Sequence, residues 1–140
     1  MSGPNTAPCE RRGTVAHTWG VATTVELSSL AGQDRAEVTL ATGLTYDGIT
    51  PVRLRVSKRG RRYGITDCGG AVATAGATAE RVVLPARIPV GRYEANVSRH
   101  GIVCLSAVSP TPAWLETICE IVERGSVALY EELLDVTPDE

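Results

Sequence analysis

At 140 residues, with 43% hydrophobic and 21% charged side chains, the chain has the makings of one folded domain, and wholesale disorder is excluded. No apolar run approaches the roughly 20 residues needed to span a bilayer. The opening MSGPNTAPCERRG has no apolar core of a secretory signal, so a cytoplasmic protein without membrane contact is expected. The net charge of −2 is unevenly spread: residues 116–140 hold eight acids and one Arg, a net −7, and the first 115 hold 13 bases and eight acids, a net +5.

The basic residues are 13 Arg and one Lys, and Phe is absent. With abundant Ala, Gly and Val, that is the bias of a GC-rich bacterial genome. It weakens any claim that each Arg was chosen for its fork-shaped chemistry. Cysteines at 9, 68, 104 and 119 form no CxxC pair, so free thiols are expected rather than a disulfide framework.

Residues 1–13, with two prolines and two glycines, predict a mobile tail ahead of a single domain over 14–137. From Thr14 to Leu27 the pattern fits both a strand and an amphipathic helix. Trp19, Ala22, Val25 and Leu30, with Gly32 as a stop, favour a short helix. Ala36, Val38 and Leu40 share one face of a strand, and Asp47-Gly48 marks the turn that follows.

Val52, Leu54 and Val56 alternate with Arg53, Arg55 and Ser57, the period of a half-buried strand. A two-residue turn at Arg59-Gly60 makes this stretch a hairpin, with Val56 opposite Tyr63 and Leu54 opposite Ile65. Arg53, Arg55 and Arg62 then share the face opposite Leu54, and Lys58, Arg59 and Arg61 crowd the tip. Beyond Cys68-Gly69-Gly70, one helical turn is expected from Ala71 to Ala75, ending at Gly76, and a short helix over 78–84.

A second hairpin sets Tyr93, Ala95 and Val97 against Ala107, Leu105 and Val103 around an Arg99-His100-Gly101 loop. The last element opens with Thr111 as N-cap and Pro112 at the first helical position. Leu115, Ile118, Val122, Leu129 and Leu133 fall on one stripe, and the helix should end before Pro138. Gly125 inside it points to another backbone passing close. The fold class is therefore α+β: an antiparallel sheet of two hairpins, a long C-terminal helix and a shorter N-terminal one.

The strings TGLTY (42–46), RVSKRGRRYGITD (55–67), NVSRHG (96–101) and ALYEELLD (128–135) resemble segments of the bacterial domain of unknown function 1828. The likeness covers about residues 40 to 135, with Cys68 standing where those relatives place an acid. It implies an α+β fold and brings no catalytic or ligand residues.

Three constellations could carry chemistry. Cys68, on a glycine turn before a helix, is a candidate nucleophile with His100 as base and Asp67 beside it. The competing assignment has Asp67 capping the next turn and Cys68 filling a small core space. A metal site would have to draw on His17, Cys68, Cys104 and Cys119 from four elements without a closely spaced pair, so no metal is expected. No phosphate-cradling glycine motif, serine elbow or HExxH occurs, and no cofactor is expected.

The third is the basic hairpin: Arg53, Arg55, Lys58, Arg59, Arg61 and Arg62. It could meet nucleic-acid phosphates, although no aromatic interleaves with the cations. The favoured assignment is a solvated face, docked on the acidic helix of the same or a neighbouring molecule, where Glu116, Glu120 and Glu123 form an exposed face and Glu131, Glu132 and Asp135 lie near the C-terminus. The favoured expectation is a non-catalytic protein-interaction or assembly module. A nucleic-acid-binding module using residues 53–62 comes second, and a cysteine-dependent enzyme using Cys68 third.

Overall fold

The computed structural model describes residues 27–76 and 84–136, with side chains through Leu134. The expected tail, most of the expected N-terminal helix with His17, and the expected helix at 78–84 save its last residue lie outside them. The architecture is α+β, with a six-stranded antiparallel sheet, a long C-terminal helix and a short N-terminal one. Residues 27–29 are helical and run into a 3-10 turn, Leu30–Gly32, with Leu27 and Leu30 buried. The strands are β1 (Arg35–Thr45), β2 (Pro51–Arg59), β3 (Arg62–Thr66), β4 (Arg87–Val90), β5 (Tyr93–Val97) and β6 (Val103–Val108). The helices are α1 (Gly70–Ala75) and α2 (Pro112–Val136). Spatial order across the sheet is β1-β2-β3-β6-β5-β4.

Alternation decides which side of each strand is buried. Val52, Leu54 and Val56 are fully buried on one face with Leu40, Ile65 and Val103, and α2 lies across that face, reaching all six strands. The expected helical stripe of Leu115, Ile118, Val122, Leu129 and Leu133 is buried, each such side chain contributing about 1.5–3 kcal/mol. Thr111 Oγ1 accepts the Trp114 N–H at 3.1 Å, the cap that the sequence predicts. At Gly125 the close neighbours are side chains rather than backbone. An added Cβ would stand 3.1 Å from Ala95 Cβ and 3.3 Å from Ile88 Cγ2, so glycine lets the helix settle onto the sheet.

The first hairpin differs from expectation. Arg59 pairs with Arg62, so the turn is Gly60-Arg61, and Val56 stands opposite Ile65 with Lys58 opposite Tyr63. The two registers differ by two residues and leave every side chain on the same face, so hydrophobic pattern cannot separate them. Backbone bonds choose: the Gly60 N–H donates to Asp34 O at 2.7 Å, and the Arg61 carbonyl accepts from Ser109 N–H at 2.8 Å. Gly60, at φ 63°, takes the first turn position.

The second hairpin keeps the expected loop. The Ser98 N–H donates to Ile102 O at 3.0 Å around Arg99-His100-Gly101, with Gly101 left-handed at φ 82°. Its ladder with β6 is short, however, limited to Val97–Val103 and Asn96–Cys104. Tyr93 and Ala95 instead pair with Val90 and Ile88 of β4, a strand the sequence did not announce. Tyr93 leans onto the exposed Trp114 ring, centroids 5.7 Å apart.

Candidate functional site

The sheet face that α2 leaves uncovered carries most of the predicted cations. In antiparallel pairs, directly opposite residues project to the same side. The pairings Arg35↔Arg59, Arg59↔Arg62 and Arg62↔Val108 therefore form one row across four strands, three guanidinium groups and an exposed valine. Arg53 and Arg55 alternate with the buried Leu54 and so share this face. Arg55 is held by Glu37 at 3.3 Å, and on the far strands Arg87 meets Glu94 at 3.7 Å. Both pairs are solvent-exposed and worth about 0–1 kcal/mol. Among the described residues, no carboxylate lies within ion-pair distance of Arg35, Arg53, Arg59 or Arg62. Arg61 alone occupies the tip; Arg59 belongs to the row.

Lys58 corrects the predicted patch. It shares the parity of Val52, Leu54 and Val56, and its side chain is buried on the covered face. Its ammonium donates to Ala31 O at 3.4 Å and to Gln33 O, where the 3-10 turn ends, and lies 5.9 Å over the Tyr63 ring. A cation there satisfies carbonyls that the short helix leaves without partners. Lys58 is a structural tie. Arg35, which the sequence reading passed over, takes its place in the patch. The usable signal was strand parity: Lys58 lies two residues on from Val56 and so on its buried face, and Arg35 lies three residues back from Val38 and so on the opposite one.

Asp67 is buried, and its environment is closed. Oδ1 accepts the Gly69 N–H at 2.9 Å and the Val103 N–H at 3.0 Å, while Ser126 Oγ donates to Oδ2 at 2.5 Å. Ser126 Oγ also lies 2.7 Å from Tyr46 Oη. With its own hydrogen committed to Asp67, Ser126 must accept from Tyr46, so the three groups form a directed chain. Burial raises the Asp67 carboxyl above its usual range against these hydrogen bonds, and burial pushes the Tyr46 phenol up to about 12. Gly70 leaves room for the phenol: a Cβ there would stand 2.5 Å from Tyr46 Oη. Neither Ser126, a single polar residue on α2, nor Tyr46, in the loop after β1, carried a sequence signal.

Cys68 is no core filler. It is exposed at φ 58°, a left-handed conformation held by its N–H to Thr66 Oγ1 at 3.0 Å. Asp67 turns inward beside it, and His100 is exposed on the β5–β6 loop. Burial, then Asp67, raises the Cys104 thiol, and burial pushes the Cys119 thiol up to about 12. Among the described residues, no three His, Cys, Asp or Glu side chains gather in a metal-binding group.

Glu123 also departs from expectation. It is buried rather than part of an exposed acidic face, and burial pushes its carboxyl up to about 8 against a hydrogen bond with Thr42. A protonated acid fits that site, since the charged form would lose its hydration. Glu120 pairs with Arg124 at 2.9 Å, leaving Glu131 and Glu132 as the exposed carboxylates near the end of α2. The acidic helix does not dock on the basic face of its own chain, because it covers the opposite side of the sheet. No described helix is long and apolar enough to cross a membrane. No family model matches the chain, and neither the curated proteins nor the solved structures include a match to it.

Proposed function

We propose that the chain is a non-catalytic interaction module whose contact surface is the arginine face of its sheet. The observation that carries this reading is the row Arg35–Arg59–Arg62, three like charges side by side on adjacent strands about 4.8 Å apart. Like charges directly opposite destabilise a sheet, and here no described carboxylate offsets them. An anionic partner turns the same row into an advantage, because guanidinium groups bind carboxylates through paired hydrogen bonds. The resemblance to the bacterial domain of unknown function 1828 belongs to the proposal and names no ligand.

The test is binding of a labelled poly-glutamate peptide, followed by fluorescence anisotropy near physiological salt, with a short DNA duplex in parallel. Arg35→Glu, Arg59→Glu and Arg62→Glu together should weaken peptide binding at least about tenfold, or 1.4 kcal/mol. Circular dichroism should show an intact fold. Equal peptide binding by wild type and variant would overturn the reading. Duplex binding stronger than peptide binding, lost in the variant, would move the partner to nucleic acid.

A further inference from the structure

The two charged regions occupy opposite faces and opposite ends of the molecule. The arginine row lies at the β2–β3 turn, on the face away from α2. Glu131 and Glu132 directly follow Tyr130, whose ring packs 5.5 Å from Tyr46 in the β1–β2 loop, at the other end of β2. With nine residues, β2 separates those ends by roughly 26 Å. Tyr130 and Leu133 are buried on either side of the two glutamates, so this end of the helix cannot swing onto the arginines of its own chain.

We infer that the arginine face receives the acidic helix end of a second copy, in a head-to-tail contact; this rests on the reading of that face as a docking surface. Charge complementarity comes first. The ten residues from Glu131 onward hold five acids and no base. The last carbonyls of a helix add a partial negative charge that guanidinium groups can bind. Shape and polarity agree. Leu134, three positions after Glu131 on the same side of the helix, is 49% exposed, and Val108, beside Arg62 in the cross-strand row, is 55% exposed. Helix neighbours at that spacing lie about 5–6 Å apart and strand neighbours about 4.8 Å, so Glu131 meets Arg62 as Leu134 meets Val108. Because two different patches are joined, each copy keeps one free patch at either end, and the contact propagates unless it closes into a ring.

Sedimentation of the wild type should show a mass that rises with concentration and falls with salt. Arg59→Gln with Arg62→Gln leaves the helix end intact, and Glu131→Gln with Glu132→Gln leaves the arginine face intact, and neither pair of changes creates a charge that the other could receive. Each double variant alone should sediment as a monomer. Mixed in equal amounts they should form a one-to-one dimer that grows no further. A wild type that stays monomeric at every concentration while still binding poly-glutamate would overturn the head-to-tail contact and keep the docking surface. A mixture that stays monomeric, or wild-type association that survives both double substitutions, would overturn it as well.

Discussion

The covered and open faces of this sheet are built from alternate residues of the same strands, yet they obey different rules. On the covered face, position decides fate: Val52, Leu54, Val56 and Ile65 are buried, and even Lys58 is drawn in once carbonyls are there to receive it. On the open face, parity fixes only that a side chain is exposed. Whether Arg55 is neutralised and Arg59 is not depends on Glu37 reaching the one and no described carboxylate reaching the other. A buried face is specified by the chain's own pattern. An exposed one is completed by whatever it meets.

The largest break should come from charging the covered face. Leu129, on the buried stripe of α2, is fully buried, and Leu129→Asp would place a carboxylate in the core at a cost of several kcal/mol, a large share of a marginal total. Loss of the cooperative unfolding transition by circular dichroism is the expected result. An unchanged melting temperature would mean that α2 does not lie on this face.

Next in size is the directed chain that ties the sheet to α2. Asp67→Ala leaves the Val103 N–H buried without its acceptor and Ser126 without a destination for its hydrogen. Such groups cost about 1–3 kcal/mol each, so a loss of roughly 3 kcal/mol is expected in denaturant titration. Ser126→Ala and Asp67→Ala together should cost less than the sum of the two, since they remove one shared bond. Full additivity would show that the chain is not coupled.

Much of the covered face was legible in the sequence, and the physical reason is periodicity. Residues that must leave water repeat at two in strands and near 3.6 in helices, which placed Leu54, Leu115 and Leu129 without ambiguity. The register of the first hairpin was not legible, because a two-residue shift preserves every face. Tyr46, Ser126 and the burial of Glu123 were hidden for another reason: their partners lie far away in the chain, 80 residues in the case of Tyr46 and Ser126. Arg35 was missed because only strand pairing puts it beside Arg59.

Glu123 offers a smaller effect with a definite sign. Its folded carboxyl titrates near 8, well above the ordinary carboxylate range of the unfolded chain. The folded form therefore keeps a proton that the unfolded form releases. Its stabilising contribution is complete below the unfolded value and is lost as pH rises from there through about 8. Glu123→Gln keeps the shape without the titration, so it should flatten the decline in melting temperature over that range. At pH 8 it should melt higher than wild type by at least about 1 kcal/mol, or some 4 °C. Equal slopes for the two proteins would mean that the carboxyl is hydrated.

The smallest effect belongs to the open face, and its direction is the informative part. Arg62 stands between Arg59 and Val108, with no described carboxylate in reach. Arg62→Thr removes one like-charge neighbour and places a β-branched residue in a strand, so a gain of a few tenths of a kcal/mol is expected. Added salt should stabilise the wild type more than the variant, because screening already relieves what the substitution removes. A row kept for binding would thus be slightly costly to the isolated fold and useful only in contact. If Arg62→Thr instead lost about 1 kcal/mol or more in chemical denaturation, the side chain would be serving the folded chain itself. The comparison between the two faces would then fail at the residue on which the docking surface most depends.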